Sequence, residues 1–448
     1  MSRRRRKRTH NFARMILSLS LLALLVTLLV YASTGNTQGR ASGKGGNQAA
    51  GNGVSSLGTT IKDGITGLAE YFTGEENNMY DQKTTSTAQL TGIDGYATGI
   101  YGEVYSHIDT FTEVSHRKLK IDMSNYGNYR LTNDGTQNFS VLQVTDVHLT
   151  GSDISYAKDI QALDAVYSMI ARTQPDFIVM TGDLIFGTDG YATADGMRAW
   201  NVLSNVMDRI GIPWTWTFGN HDHSFFDRFT TDEVGALLNQ CNTLCMYPDG
   251  SEYGYSNGVI ELCNTDGSLA MGLVTIDTNN ELVDAAGNAQ GYDYVHPDQV
   301  EWYAREIAKL NAVYGENVKT LLYSHIPVEE YDAAWNMIDG RLAGESIWDG
   351  THTATYIYGK KREAVQGSSV ESTLFEKALE LKSTVAIFCG HDHLNDYDVD
   401  LDGIQLVYGK SIDYIAYPGI EFQTEQRGAT LVSIDAESGF AIIPLNLE

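Results

Sequence analysis

Hydrophobic and polar residues follow a regular pattern from Phe139 to the carboxyl terminus of the 448-residue chain. Short apolar runs alternate with stretches in which apolar residues recur every three or four positions, and these two periods predict strands and helices. The predicted strands span residues 140–145, 176–181, 213–218, 259–263, 269–276, 320–323, 384–389 and 429–434, and the predicted helices span 154–172, 200–210 and 297–313. This alternation predicts an α/β domain built in layers.

Two Asp-Gly pairs mark tight turns in the same region. Asp266-Gly267 separates two of the predicted strands, and Asp402-Gly403 lies between two further apolar stretches. Asp-Gly is favoured in two-residue hairpin turns because the central positions need positive φ. The sequence therefore predicts a β-hairpin at each pair.

The pattern of the amino-terminal region predicts an export signal. Residues 15–32 form an apolar run of eighteen residues without a charge, about the shortest helix that crosses the ~30 Å hydrocarbon layer. Residues 1–14 are basic, so the positive-inside rule predicts that they are cytoplasmic and that the chain after the run lies outside. The run is either a transmembrane anchor or a cleaved signal peptide. Both alternatives predict an exported domain, either held at the cell membrane with its catalytic part extracellular or secreted.

The chain after this run divides by composition. Residues 33–56 are rich in Gly, Ser and Asn and predict a flexible tether. Residues 57–138 stay polar and predict a stalk or small appendage of unknown function. The layered domain is predicted to occupy residues 139–448.

The charge distribution excludes one class of partner. The chain carries 31 basic and 57 acidic residues, a formal net charge of −26, and seven of the basic residues lie in 1–14. The remainder, with 24 basic against 57 acidic residues, therefore has a charge of −33. Such a field repels nucleic acid, whose binding depends on neutralising phosphates, so we expect no general nucleic-acid binding. Nothing in the sequence indicates a protein partner.

Polar side chains suited to catalysis follow five of the predicted strands. Active sites in open α/β sheets form beyond the carboxyl ends of strands, so these side chains are predicted to converge on one rim. Five of the eleven histidines of the chain belong to the set. The residues are Asp146, His148, Asp183, Asn220, His221, Asp222, His325, His391 and His393.

The chemistry of this set points to transition metals. Imidazole nitrogens, carboxylates and an amide oxygen suit divalent or trivalent first-row ions, whereas calcium prefers oxygen ligands and structural zinc sites use thiolates. The donors outnumber the ligands that one ion needs. A shared carboxylate could hold two ions about 3.5–4 Å apart, the arrangement that clamps the attacking and leaving oxygens in phosphoryl displacement.

The order D-x-H, G-D, G-N-H-D, H and G-H-x-H resembles the calcineurin-like metallophosphoesterase superfamily. Longer stretches are similar to its purple-acid-phosphatase-like branch, among them Gln174-Pro175-Asp176 and Ile212-Pro213-Trp214. The resemblance covers about residues 140–436. It implies an α/β fold, a layered β-sandwich with flanking helices, preceded here by the transmembrane helix or signal segment.

The resemblance also implies roles for individual residues. The first metal ion would be held by Asp146, His148 and His393. The second would be held by Asn220, His325 and His391, with Asp183 bridging the two. His221 would protonate the leaving alkoxide, and Asp222 would orient His221.

The activity implied is hydrolysis of phosphomonoesters by a metal-activated hydroxide at two Fe, Mn or Zn ions. A phosphodiesterase or nucleotidase acting at the same site is the alternative within this class, and a non-catalytic surface binding module on a degenerate phosphatase fold is the alternative outside it. Two positions depart from true purple acid phosphatases, which have tyrosine where this chain has Phe186 and lack a histidine at the position of His148. We therefore expect no iron–tyrosinate colour, and the identity of the metals stays open.

Overall fold

The computed structural model describes residues 95–447 except 114–116, 126, 187–194, 224–232, 236, 239–243, 247–253, 285, 287 and 424. The predicted cytoplasmic segment, the apolar run and the tether lie outside the described residues. Within the described part of the chain, no helix combines the length and the apolar character that crossing a bilayer requires.

The described residues form the following helices and strands, which are numbered in chain order. The helices are α1 (Gly95–Glu113), α2 (Tyr156–Thr173), α3 (Gly196–Ile210), α4 (Asn220–His223), α5 (Pro297–Tyr314), α6 (Glu330–Ile338) and α7 (Leu374–Leu381). The strands are β1 (Lys120–Met123), β2 (Tyr129–Thr132), β3 (Phe139–Val144), β4 (Phe177–Thr181), β5 (Trp214–Thr217), β6 (Gly258–Cys263), β7 (Leu269–Thr275), β8 (Glu281–Val283), β9 (Ala289–Tyr292), β10 (Thr320–Tyr323), β11 (Ser346–Trp348), β12 (Thr353–Tyr358), β13 (Thr384–Cys389), β14 (Asp398–Leu401), β15 (Ile404–Tyr408), β16 (Gly428–Ile434) and β17 (Phe440–Asn446).

The described strands form two large sheets and a two-stranded ribbon of β8 and β9. The order of the ten-stranded sheet is β1-β2-β6-β7-β10-β13-β15-β14-β12-β11, and the order of the five-stranded sheet is β17-β16-β3-β4-β5. Strands β3, β4 and β5 are parallel to one another, and so are β7, β10, β13 and β15. Both predicted hairpins are confirmed, because β6 pairs with β7 and β14 pairs with β15 in antiparallel register.

The two sheets stack face to face with helices on their outer sides. Alternate residues of β3 show this, since Val141 belongs to the hydrophobic cluster between the sheets and Leu142 to the cluster beneath helices α1, α2 and α3. In the ten-stranded sheet, Leu321 faces the inter-sheet cluster and Leu322 faces the cluster under α5, α6 and α7. The alternation is the period of two that a strand imposes. The mixed α/β sandwich with flanking helices is therefore confirmed.

Local sequence sets the ends of the helices that cover the five-stranded sheet. Helix α2 ends at Thr173 and is capped by Gln174, which adopts a left-handed conformation with φ of 46° immediately before Pro175. Helix α3 begins after Asp195, whose side chain accepts a hydrogen bond from the N–H of Arg198 at 3.0 Å. The end of α2 directs the chain back into β4, and Gly211, which follows α3 in a left-handed conformation with φ of 82°, directs it back into β5. Both strands carry site residues at their carboxyl ends.

Residues before 139 pack against the layered domain. Helix α1 contributes Ile100, Val104 and Ile108, none of them exposed to solvent, to the same cluster as α2 and α3. Strand β2 pairs in parallel with β6 and extends the ten-stranded sheet. The predicted domain boundaries stay predictions, but the described part of segment 57–138 is integrated into this fold rather than projecting from it.

Candidate metal centre

The predicted site residues lie where the two sheets meet. Strands β3, β4 and β5 of the five-stranded sheet and β10 and β13 of the ten-stranded sheet end at this position. Backbone hydrogen bonds connect the loops that follow them, from Asp146 N–H to the Gly182 carbonyl and from Gly390 N–H to the His325 carbonyl. The predicted convergence is confirmed, and the strands that converge belong to two different sheets. Periodicity identifies buried strands without identifying their partners, so it could not separate the two sheets.

One cluster contains the residues predicted for the first ion. Asp146, His148, Asp183 and His393 each offer a ligand atom, and these atoms lie within 4.8 Å of one another. His393 Nε2 is 3.3 Å from Asp146 Oδ1 and 3.2 Å from His148 Nε2. His148 Nε2 is 3.7 Å from Asp183 Oδ2. Four donor atoms therefore surround one small volume.

A second cluster contains residues predicted for the second ion. Asp183, His325 and His391 again have ligand atoms within 4.8 Å of one another. His325 Nε2 lies 3.3 Å from Asp183 Oδ2 and 3.2 Å from the amide oxygen of Asn220. Asp183 belongs to both clusters, as a bridging ligand would. Which ion each residue holds stays a prediction.

The donor chemistry of the second cluster fits a cation. Nδ1 of His325 donates to the carbonyl oxygen of Thr181 at 2.8 Å, because that oxygen can only accept. Nε2 of the neutral ring therefore carries a lone pair, and it faces two oxygens that also accept. Either a proton or a metal ion must lie among these three atoms. Burial would lower the pKa of His325, but the carboxylate of Asp183 outweighs it and raises the pKa to about 9.

The backbone is strained at four of the candidate ligands. Asp146, His148, Asp183 and His391 have φ values of 54°, 56°, 51° and 79°. Non-glycine residues rarely occupy this left-handed region, and each instance costs about 1–3 kcal/mol. The surrounding structure must hold them there, and such strain concentrates at functional sites.

Two motif glycines permit the loops to approach closely. A Cβ at Gly219 would lie 2.2 Å from Asp183 Oδ1, and a Cβ at Gly390 would lie 2.0 Å from Thr145 Oγ1 and 2.7 Å from Asp146 Oδ2. No real Cβ atom approaches a neighbour so closely. Both glycines are therefore required by packing against a candidate ligand.

His221 lies beside the two clusters and differs from the ligands in exposure. Its side chain is 25% exposed, whereas those of His148 and His325 are fully buried. Its Nε2 is 4.0 Å from Asp183 Oδ2. Burial, with a smaller contribution from neighbouring imidazoles, lowers the pKa of His221 to about 4 despite the opposing effect of Asp183. This placement suits a side chain that faces a bound substrate.

Phe186 packs against the site histidines. Its ring centroid is 5.2 Å from that of His148 and 4.8 Å from that of His221. The position that carries tyrosine in purple acid phosphatases is therefore next to the first cluster.

The carboxylate of Asp222 accepts its hydrogen bonds from backbone N–H groups. Its Oδ1 accepts from the N–H groups of Leu184 and Ile185 at 2.9 and 3.0 Å, and its Oδ2 accepts from Gly219 N–H at 2.8 Å. The carboxylate is fully buried and holds together the loops that follow β4 and β5. Burial and the charge of Asp183 raise the pKa of Asp222 to about 7. Because backbone donors occupy both oxygens of Asp222, the structure shows no hydrogen bond from His221 to this carboxylate, and the role of Asp222 in orienting His221 stays a prediction.

The sequence analysis missed Asp413. Its Oδ2 accepts a hydrogen bond from Nδ1 of His393 at 2.8 Å. Asp413 follows β15, which runs parallel to β13, so the rule about carboxyl ends of strands applied to it too. Four residues separate the end of β15 from Asp413, so Asp413 does not stand directly after a strand as the predicted site residues do.

The sequence is similar to those of known proteins. The sequence model of the family described as calcineurin-like phosphoesterase matches residues 139–395. A protein of Arabidopsis thaliana named probable inactive purple acid phosphatase 29 is 26% identical over 325 residues, which cover 66% of this chain and 77% of the relative. A probable cyclic nucleotide phosphodiesterase of Moraxella catarrhalis is 36% identical over 108 residues, covering 24% of this chain and 33% of the relative.

Among solved structures, a dimetal phosphatase from Danio rerio aligns with a TM-score of 0.41 and 12% sequence identity. The alignment covers 69% of this chain and 99% of that protein.

Proposed function

This chain belongs to the calcineurin-like phosphoesterase family, in its purple-acid-phosphatase-like branch, and from that membership we propose that it hydrolyses phosphomonoesters at a centre of two transition-metal ions. The observation that carries the proposal is the completeness of the ligand set. Two clusters of buried donors share the carboxylate of Asp183.

The residues divide into those that hold ions and those that act on substrate. Asp146, His148 and His393 would hold one ion, Asn220, His325 and His391 the other, and Asp183 both. Such ions supply charge to neutralise the phosphoryl oxygens and lower the pKa of a water molecule that attacks phosphorus. Asn220 adds a donor without negative charge, so the centre keeps its attraction for phosphate. His221, the more exposed histidine, would give its proton to the leaving alkoxide.

The test combines metal content with a substrate panel. Elemental analysis of the purified chain should approach two transition-metal ions. In a panel of simple monoesters, nucleotides, phosphopeptides and diesters, the phosphomonoester groups should be hydrolysed faster than the diesters. Asp183→Asn should weaken both ion sites, whereas His393→Ala should weaken chiefly one. Asp435→Asn, at an exposed turn that caps Glu437 and Gly439, is the control. An active, unchelated preparation with fewer than two ions would refute the dinuclear centre.

Phosphodiester hydrolysis is the second candidate. The Moraxella relative named as a cyclic nucleotide phosphodiesterase favours it, and the same ligands serve both reactions. Preference for a cyclic nucleotide or another diester in the panel would replace the monoesterase proposal with this one.

A non-catalytic binding module is the third candidate. The Arabidopsis relatives carry the word inactive in their names, which favours it, whereas all seven candidate ligands are present here. A chain that binds two ions but hydrolyses no ester in the panel, over several metals, would support the binding module.

We also propose that the phosphoesterase is exported and tethered to the membrane by residues 15–32. The support is the apolar run with basic residues before it. Protease added to intact cells should cleave the domain from the cell surface or find it already in the medium. Protection in intact cells, with cleavage after lysis, would reverse the topology.

A further inference from the structure

Asp413 lies in the loop after β15 and is fully buried against the metal centre. Its carboxylate accepts four hydrogen bonds. Oδ1 accepts from the N–H groups of Ile415 at 2.7 Å and Ala416 at 2.8 Å. Oδ2 accepts from the N–H of Tyr417 at 3.1 Å and from Nδ1 of His393 at 2.8 Å.

The number of these donors equals the number of hydrogen bonds that an ionised carboxylate can accept. An ionised carboxyl group has about four lone-pair sites and no proton to give. Three of the partners are backbone N–H groups, and the fourth is His393 Nδ1. Because the carboxylate can only accept hydrogen bonds, Nδ1 must carry a proton. Nε2 of the neutral ring then holds a lone pair directed at Asp146 and His148.

We infer that Asp413 is a positioning residue, which keeps the proton of His393 on Nδ1 and so presents Nε2 to a metal ion. The inference rests on the proposed function above, because it assigns Nε2 to the first ion. Carboxylate–histidine–metal arrangements of this kind fix the tautomer and orientation of the ligand.

The same loop fixes the orientation of the ring. Tyr417, whose backbone Asp413 holds, stacks on His393 with ring centroids 4.3 Å apart and an angle of 23°. Backbone N–H groups of Ile412 and Asp413 donate to the carbonyls of Thr145 and Asp146 at 3.1 and 2.8 Å. The loop that carries Asp413 is therefore joined to the loop that carries the first cluster.

His148 provides a contrast within the same cluster. Its Nδ1 is buried and has no hydrogen-bond partner among the described residues. Among the described residues, a carboxylate therefore fixes the tautomer of His393 but not that of His148.

The variant Asp413→Asn should move the proton of His393 from Nδ1 to Nε2. An amide has one accepting oxygen, and the two short bonds from Ile415 and Ala416 place that oxygen at the Oδ1 position. The NH₂ group then takes the Oδ2 position, where the hydrogen bond from the N–H of Tyr417 is lost. It also faces His393 Nδ1, which must accept, so the proton moves to Nε2 and blocks metal binding. Asp413→Ala removes the acceptor but introduces no donor, so the Nδ1–H tautomer remains available.

The experiment compares these variants with Zn²⁺ as the probe. Metal-free full-length chain is titrated with Zn²⁺ against a chelator, and ¹⁵N NMR at alkaline pH, where the imidazole is neutral, reports which nitrogen of His393 carries the proton. We expect wild type to bind two Zn²⁺ and to show Nδ1–H. In Asp413→Asn, one of the two dissociation constants for Zn²⁺ should rise about 10- to 100-fold, and His393 should carry its proton on Nε2. Asp413→Ala should weaken Zn²⁺ binding less than Asp413→Asn does. Asp435→Asn is the control.

The order of the two variants separates positioning from folding. If Asp413 merely capped a turn, alanine would weaken Zn²⁺ binding at least as much as asparagine, and this result would overturn the inference. So would Nε2–H in the wild type. A wild type that shows Nδ1–H but binds fewer than two Zn²⁺ would refute the proposed function while supporting the tautomer assignment.

Discussion

Replacing Gly390 by alanine should disable the first metal cluster through one added methyl group. The Cβ would lie 2.0 Å from Thr145 Oγ1 and 2.7 Å from Asp146 Oδ2, whereas real Cβ atoms stay beyond 3.0 Å. Oγ1 must therefore move by about 1 Å. Because Gly390 does not have a positive φ, this crowding acts without backbone strain.

The loss in the free energy of unfolding can be derived from the hydrogen bonds of Thr145 that the added methyl group would break. Thr145 Oγ1 lies 2.8 Å from Asp146 Oδ2 and 3.0 Å from the Thr181 carbonyl, and rotating it away gives up that hydrogen bonding. A lost buried hydrogen bond costs about 1–3 kcal/mol and overpacking about 1–3 kcal/mol. Together they predict a loss of about 2–6 kcal/mol in the free energy of unfolding. Asp146 Oδ2 must move as well, because the added Cβ would lie 2.7 Å from it, so we expect Asp146 to hold its ion less tightly.

Urea unfolding and Zn²⁺ titration of the Gly390→Ala chain measure these effects. Gly102→Ala is the matched control, because Gly102 lies exposed in α1 with nothing within 4 Å of its added Cβ. It should stabilise the chain by about 0.5–1 kcal/mol and bind two ions. A Gly390→Ala chain that unfolds at the wild-type urea concentration and binds two ions with wild-type affinity would refute the packing argument.

Three further predictions concern other side chains. His221→Ala should slow hydrolysis of alkyl phosphates by about 10²–10⁴-fold but aryl phosphates much less, since good leaving groups need little protonation; equal losses in steady-state kinetics, at unchanged metal content, would show another role. Phe186→Tyr should give a visible charge-transfer band if the first ion is ferric iron, while wild type stays colourless; a folded, ferric but colourless variant would show that the ring points away from the ion. Burial, with the nearby Glu376 and Glu329, raises the pKa of Glu330 from 4.5 to about 7, so the folded state binds this proton more tightly and loses stability as pH rises through that interval. Urea unfolding should show Glu330→Gln more stable than wild type by up to about 3 kcal/mol at pH 8 and by less at pH 5; an equal difference at both pH values, measured beside exposed Glu316→Gln, would contradict this.

The elements that carry the site were predictable because their sequences are unambiguous. Strands 320–323 and 384–389 coincide with β10 and β13, since buried parallel strands read as continuous apolar runs. Helix α1 was not predicted. Its buried residues Ile100, Val104 and Ile108 recur every four positions, but Gly99 and Gly102 lower helix propensity, and packing against α2 and α3 decides the outcome.

The candidate ligands were predictable for a different reason. Each lies directly after a strand in a motif whose spacing is set by its chemistry. The partners of Asp222 and Asp413 are largely backbone N–H groups, and every residue except proline offers one. No side-chain pattern therefore indicates which loop an aspartate will hold, and those roles required the structure.

The division of ligands between the sheets has a consequence for assembly of the fold. Asp146, His148, Asp183 and Asn220 follow strands of the five-stranded sheet, and His325, His391 and His393 follow strands of the ten-stranded sheet. Bound ions would therefore cross-link the two halves of the sandwich. A ligand at 100 times its dissociation constant adds about 2.7 kcal/mol to the folded state, so the concentration of available ions would set how strongly the two sheets are held together.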